Sequence, residues 1–339
     1  MRVLVVGATG FIGGHLIEYL KNEGHQVEGL IRNPEKASLL DALSVPYRIA
    51  DVTDPQSLEK AVSGEFNAVV NTVAVVGSRK SLDFFRKINV EGTKNLAEAL
   101  SKAGIKRLIH LSSIAIYGQS VVNGTEDLVP KRQTWMRYSV TKLESEKVLN
   151  HYPDLDIAIL RPGHVTGPRD RMGVLPLLFH TLRTKKFVMI DEGKAVTSFV
   201  YVRDVCRAVQ LCLENPEETK DQAYNVVSPE KIRIRDVVDY LHEEMNVPLP
   251  EKKASFASAY RKAHIVEIIS KTLGRTPPVT RMDVVFIGTD SHFLSDKLQS
   301  LGWSSSRSVR EMVHEWAEWR KQYEQEKKRQ KSAQGKIPG

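Results

Sequence analysis

Cysteine is scarce. The 339 residues hold two, Cys206 and Cys212. Lying six apart in one helical pattern, they suit neither a metal set nor a disulfide framework, so core packing is expected for both and no metal site is read. Long apolar runs are also missing. None approaches the ~20 residues of a membrane span, and no basic-then-apolar leader precedes the first strand. A cytoplasmic protein without a transmembrane segment is the expectation. Aromatic residues are 7% of the chain and are not interleaved with the basic ones as a stacking platform, so nucleic acid is not an expected partner. Repeats and low-complexity segments are absent. Charge is not lacking: the net value is +8, and much of it sits at the end. From Arg320 to Lys336 there are seven Lys/Arg against Glu324 and Glu326. Residues 320–339 therefore read as a basic tail, a solvated helix end running out at 335–339.

The N-terminus carries the strongest signal. Val3-Leu4-Val5-Val6 suits a strand buried on both faces of a parallel sheet. Gly7, Gly10 and Gly13 follow, and then an amphipathic pattern of Phe11, Ile12, Leu16, Ile17 and Leu20 stops at Gly24. Strand, glycine turn and helix make a phosphate cradle. Gly7 allows the turn, Gly10 admits a pyrophosphate, and Gly13 lets helix and strand pack closely, with the helix N-terminus facing the anion. The spacing G-x-x-G-x-x-G is a narrower variant of the general dinucleotide fingerprint.

Further on, Gln26–Ile31 reads as a second strand with Arg32 at its end. An acid near that place grips a ribose 2′-hydroxyl, whereas an arginine accommodates a 2′-phosphate, so Arg32 points to NADP over NAD. The bland alternative is a surface arginine. Tyr47–Ala50 is a third strand ending at Asp51-Val52, and Asp54 before Pro55 fits a helix N-cap. Ala68–Val76 reads as a fourth strand whose carboxyl end, at Val73 and Ala74, sits beside the cofactor. Ser81–Lys102 is a long helix, Arg107–Ser113 a fifth strand, Tyr138–Asn150 a helix and Leu155–Leu160 a sixth strand. His110 reads as a satisfied core histidine. The alternation predicts an α/β fold with a doubly wound parallel sheet of Rossmann type. Beyond Pro162 the rhythm loosens into short helices and loops, with Phe199–Tyr201 and Tyr224–Val227 as strands and a helix from Asp204 to Glu214. Ser255–Leu273 carries Phe256, Tyr260, Ile265, Ile268, Ile269 and Leu273; a lid, a dimer contact and a membrane-surface helix stay open, its polar residues favouring protein packing. Ser306–Gln330 is the last helix.

The catalytic candidates are Ser113, Tyr138 and Lys142. Tyr138 and Lys142 stand at i and i+4 on one helix face. A free tyrosine, with a pKa of about 10, is a poor base at neutral pH, and a nearby ammonium favours its phenolate. Tyr138 then exchanges a proton with a substrate oxygen that Ser113 holds, while a nicotinamide carries the hydride.

These residues together resemble an extended short-chain dehydrogenase/reductase, of the NAD-dependent epimerase/dehydratase and 3β-hydroxysteroid dehydrogenase-like kind. The resemblance runs from Met1 to about Trp319. Gly7-Ala8-Thr9-Gly10-Phe11-Ile12-Gly13 matches the family's glycine motif with Ala8 in place of Thr. Asp51-Val52 matches the adenine-side acid and its neighbour, Asn89 lies in the N-V-x-G-T segment, and Ser113 precedes Tyr117 in the Ser-Ser-x-x-x-Tyr-Gly pattern. Pro162 to Val165 fits the loop that meets the nicotinamide amide, and Tyr201 to Val205 fits Y-V-x-D-V. The resemblance implies a Rossmann domain at 1–165 with 199–227 returning to it, and a smaller, mostly helical substrate region at 166–198 and 228–319. It also implies a homodimer.

Three departures bear on substrate. Nucleotide-sugar members carry R-x-x-N where this chain has Arg161-Pro162-Gly163-His164, and an arginine where it has Thr197. The Thr-Asp-Glu of dehydratases is replaced by Ser113-Ile114-Ala115. The stretches 274–278 and 297–303 are similar to the hydroxysteroid dehydrogenase-like and dihydroflavonol reductase-like branch, and Trp135 with Met136 would add apolar surface at the reacting end. The expectation is an NADP-dependent oxidoreductase acting on a small hydroxy or keto substrate. The alternatives are a nucleotide-sugar epimerase that retains its cofactor and a non-catalytic NADP-binding scaffold or redox sensor.

Overall fold

The structure, a computed structural model, describes the whole chain except residues 65, 77–79, 132–135, 276, 278 and 335–339, and the side chains of 331–334. Trp135, Thr276, Pro278 and the last five residues of the basic tail therefore lie outside the described residues.

Seven strands form one parallel sheet: β1 Arg2–Val6, β2 Gln26–Ile31, β3 Tyr47–Ile49, β4 Ala68–Asn71, β5 Arg107–Leu111, β6 Asp156–Pro162 and β7 Gln222–Val226. Their order is β7-β6-β5-β4-β1-β2-β3, every pairing parallel. The chain winds outward from β1 in both directions, which leaves a crevice at the carboxyl ends of β1 and β4. The apolar run Val3–Val6 is fully buried because helices cover both faces. On one face Leu16, Ile17 and Leu20 of the helix Phe11–Asn22 pack with Val205, Val209, Cys206 and Cys212 of the helix Val202–Glu214. On the other, Leu58, Leu96 and Leu100 meet Leu4, Val69 and Leu108.

Two long elements differ from the expectation. β4 ends at Asn71 rather than Val76, because the Asn71 side chain turns the chain by accepting the Val73 N–H at 3.1 Å. The helix after it is not uniform: between Leu82–Arg86 and Gly92–Ala103, Lys87–Glu91 widens to π geometry. Such widened turns carry the π-bulges that recur at functional sites.

The rest of the chain adds small sheets on the crevice side. His164–Thr166 pairs with Phe199–Tyr201, and Val188–Ile190 with Lys252–Ala254. Four further strands, Ile232–Arg233, Val196–Thr197, Ser291–Phe293 and Val121–Gly124, form another sheet. Of these short strands only Phe199–Tyr201 is expected from the sequence; two to four residues carry little alternation.

A separate core lies here, under the helices Val174–Arg183, Ile234–Met245 and Val309–Gln334. Trp316 is fully buried at its centre, 5.7 Å from the Phe179 ring and edge-on to it, and its indole N–H donates to the Asp170 carbonyl at 3.0 Å. Trp316→Ala should cost about 3–5 kcal/mol, seen as a lower urea midpoint, with unaltered stability marking Trp316 as peripheral.

Candidate active site

At the end of β1 the backbone of Gly7 turns with φ +88°. A Cβ at Gly13 would lie 2.3 Å from the Gly7 carbonyl oxygen, and one at Gly10 3.1 Å from the same atom. The turn is therefore closed to side chains and open to an anion. Gly10 is the N-cap of the helix Phe11–Asn22 and supplies no side-chain cap, so no side chain competes for the first-turn N–H groups near Phe11, Ile12 and Gly13. A cradle that a Cβ would fill fits a dinucleotide pyrophosphate. Gly7, Thr9, Gly10, Phe11, Ile12 and Gly13 all lie on it.

Ser113 and Tyr138 meet at the carboxyl end of β5. Ser113 follows the strand in an extended conformation, and its oxygen accepts the Ala115 N–H at 3.2 Å. Tyr138 lies in the first turn of the helix Arg137–Leu149. Burial raises its phenol above the ordinary value, and the neighbouring Ser113 hydroxyl opposes that shift. Lys142 does not depress it as the spacing suggested. The Lys142 ammonium is turned instead to the Leu111 carbonyl and comes within 3.5 Å of His110 Nε2. Burial lowers Lys142 to about 8, opposed by the Glu146 carboxylate one turn on.

The helix that bears both residues is held by polar contacts on several sides. Ser139 donates to the Ala115 carbonyl at 2.6 Å, and Arg86 grips Glu144 through two bonds of 2.9 Å. Arg161 of β6 binds Glu146 at 3.1 and 2.7 Å and the Tyr117 hydroxyl at 2.6 Å. His110 is fully buried, as read, but it is more than core filling. Its Nδ1 takes the Asn71 amide at 3.2 Å, and its Nε2 faces Ser145 at 3.3 Å. Asn71 Oδ1 is occupied by Val73, and the Ser145 hydroxyl donates to the Lys142 carbonyl at 2.7 Å. The tautomer consistent with all four contacts carries its proton on Nε2, on a neutral ring that burial and Lys142 hold well below the usual histidine range. A histidine one residue before the strand's end, facing the lysine helix, was the available signal for this link.

Asn89 sits fully buried inside the π segment. Its Oδ1 accepts the Val75 N–H at 2.8 Å and its Nδ2 donates to Thr141 at 3.0 Å. It braces the loop holding Val73 and Ala74 against the lysine helix. Arg32 stands at the end of β2 with its side chain 70% exposed, 3.9 Å from Asp51. The other oxygen of Asp51 is spent on the Thr53 N–H and hydroxyl, both at 2.9 Å. Val52 is buried under Gly92. Asp54 caps its helix as expected, accepting from Gln56 and Ser57. Pro162 ends β6, and Val165 pairs with Val200 beyond it. Between them His164 is wedged edge-on between Phe199 at 5.6 Å and Phe286 at 4.7 Å, its pKa lowered by burial to about 4. In the Y-V-x-D-V segment the Asp204 carboxylate accepts the Ser306 N–H at 2.9 Å and its carbonyl accepts the Trp303 indole at 2.9 Å, a structural tie.

Residues 3–227 match the NAD dependent epimerase/dehydratase family. The chain belongs to it. It is an NAD(P)-dependent enzyme of the extended short-chain dehydrogenase/reductase type. Among its relatives, the family includes a 4-hydroxy-2-methyl-3-oxo-4-farnesyl-3,4-dihydroquinoline-1-oxide ketoreductase of Stigmatella aurantiaca, 25% identical over 90% of this chain and 92% of its own. An N-acetyl-alpha-D-glucosaminyl-diphospho-ditrans,octacis-undecaprenol 4-epimerase of Escherichia coli O157:H7 is 26% identical over 89% of this chain and 90% of its own. The fold superposes on UDP-glucuronic acid 4-epimerase from Bacillus cereus, solved in complex with NAD, with a TM-score of 0.74 over 95% of this chain and 99% of that one, at 22% identity.

The buried Lys142 has a consequence for stability. Its ordinary value is 10.5 and its folded value about 8, so between those pH values the unfolded chain binds a proton that the folded chain does not. Stability relative to Lys142→Met should rise by about 2–3 kcal/mol as pH climbs from 8 past 10. Parallel urea titrations of the two proteins with pH read this difference, and a constant gap would show that Lys142 carries no burial penalty.

Proposed function

We propose that this enzyme interconverts a secondary alcohol and a ketone, prefers NADP, and uses Tyr138 as its acid/base group. The observation that carries the reading is the placement of Ser113 and Tyr138 together at the carboxyl edge of the sheet, the edge on which the glycine turn also opens. The raised phenol keeps its proton at neutral pH, which suits donation to a carbonyl oxygen. The Ser113 hydroxyl is placed to hold the substrate oxygen as charge develops. Lys142, anchored on the Leu111 carbonyl, keeps a positive charge one helical turn from Tyr138 while pH stays below about 8. Gly7 to Gly13, Asp51-Val52, Val73-Ala74 and Pro162 to Val165 would hold the dinucleotide, which when bound supplies or accepts the hydride. In the direction of reduction Tyr138 gives its proton to the carbonyl oxygen.

The reacting end is apolar. Met136 is buried beside Tyr138, the neutral His164 is flanked by phenylalanines, and Thr197 is buried with its hydroxyl unpartnered among the described residues. Thr197 itself brings no charge to a diphosphate, which favours a less charged hydroxy or keto compound. The farnesyl group in the name of the Stigmatella aurantiaca relative accords with that reading. The undecaprenol-linked epimerase keeps a second reading in play, in which hydride leaves and returns to one substrate and NADPH is not consumed.

Tyr138→Phe should lower kcat by at least ~100-fold in a ketone-reduction assay while leaving NADPH affinity within about twofold. Retained turnover would remove Tyr138 from the chemistry. For the cofactor, the exposed Arg32 guanidinium is bound only loosely to Asp51 and is free to engage a 2′-phosphate. Arg32→Glu should weaken NADPH at least ~10-fold while sparing NADH, measured by nicotinamide fluorescence. Equal loss of both would leave Arg32 a surface residue.

A further inference from the structure

The helix Phe256–Thr272 is amphipathic the wrong way round for a protein that ends at its own surface. Its buried positions are Ala263 and Ser270, and Glu267 turns inward to bind Arg281 at 2.7 Å. Its large aliphatic residues face out: Ile265 is 56% exposed, Ile268 53%, Ile269 52% and Leu273, just past the end, 61%. The spacing i, i+3, i+4 and i+8 puts all four on one stripe. Val279 and Met282, beginning the next helix Arg281–Gly288, are exposed beside it. This is a cluster of large apolar side chains in water, unlike the single exposed residues of ordinary surfaces.

The charge around the stripe says what covers it. Arg261 and Lys262 lie one turn before the isoleucines, and Lys271 and Arg275 stand at its far end, all exposed. None of these four has a carboxylate partner among the described residues, and the one acid on the helix is neutralised by Arg281. Over residues 251–282 seven Lys/Arg stand against two Glu. A second copy of this chain would bring the same cations against themselves across a two-fold axis. An anionic lipid surface complements them, with aliphatic groups entering the acyl boundary and Lys/Arg meeting headgroup phosphates. No helix among the described residues is long and apolar enough to cross a membrane, so the contact would be peripheral.

We propose that the helix Phe256–Thr272 seats this enzyme on the surface of an anionic phospholipid bilayer through Ile265, Ile268, Ile269 and Leu273, with Arg261, Lys262, Lys271 and Arg275 on the headgroups. The same helix pair is tied to the reacting end. Phe286 packs on His164, and Thr289, just beyond, donates to Gln119 at 2.6 Å, whose amide reaches the Met136 sulfur at 3.6 Å. A bilayer that holds the pair therefore holds the site close to lipid. The inference does not depend on the redox reading.

The test is co-sedimentation of the full chain with phosphatidylcholine vesicles, with and without phosphatidylglycerol. The wild type should pellet with the anionic vesicles, lose much of that binding in high salt, and stay in solution with the neutral ones. Ile265→Asp/Ile269→Asp and, separately, Lys262→Glu/Lys271→Glu should each weaken binding at least ~10-fold, with circular dichroism unchanged. Tyr138→Phe should pellet like the wild type. The proposal is overturned if the wild type ignores anionic vesicles, or if both double variants pellet as well as it does. Light scattering that shows a wild-type dimer broken to monomers by Ile265→Asp/Ile269→Asp would also overturn it, because a second copy would then cover the stripe.

Discussion

The burial of one ammonium group organises the centre of this molecule. Lys142 is carried inside by the helix Arg137–Leu149, where water cannot solvate it, and the protein supplies a backbone carbonyl and a carboxylate one turn away. A charge so placed is tolerated only if the surrounding groups are fixed. The fixing reaches far: Glu146 is clamped by Arg161, Arg161 by Tyr117, and Tyr117 donates to Asn225 of β7 at 3.1 Å. One buried polar network thus joins the lysine helix to two strands of the main sheet.

A second path runs toward β4. His110 accepts from Asn71, whose other amide atom turns the chain at Val73, and Asn89 holds the same loop through Val75 while bonding Thr141 beside the lysine. The loop expected to meet the cofactor and the helix bearing Tyr138 are therefore parts of one hydrogen-bonded unit. Such networks are costly when partly broken and rigid when complete. Rigidity suits acid/base chemistry, where the donor must be placed before the reaction begins.

Much of this was legible in the residues. Buried strands, the glycine turn and the helical spacing of Tyr138 and Lys142 are local patterns, and the seven-stranded sheet follows from their alternation. The errors are instructive. Val73–Val76 continues the apolar run of β4, yet it is loop, because the Asn71 amide captures the Val73 N–H and ends the strand. For Phe256–Thr272 the sequence left a lid, a dimer contact and a membrane-surface helix open, and the structure buries the small residues and turns the large ones out. The i, i+4 spacing suggested a depressed Tyr138, but the lysine points at Leu111 and burial dominates.

Periodicity and turn chemistry determined the sheet, the glycine turn and the shared helix face of Tyr138 and Lys142, because each depends on neighbours within a few residues. Tertiary structure alone decided where the Lys142 charge points, which histidine lies beside it, that Asn89 ties the loop after β4 to the lysine helix, and which side of the helix Phe256–Thr272 meets water. Those outcomes depend on side chains brought together from strands and helices far apart in the chain, and no local pattern encodes their meeting.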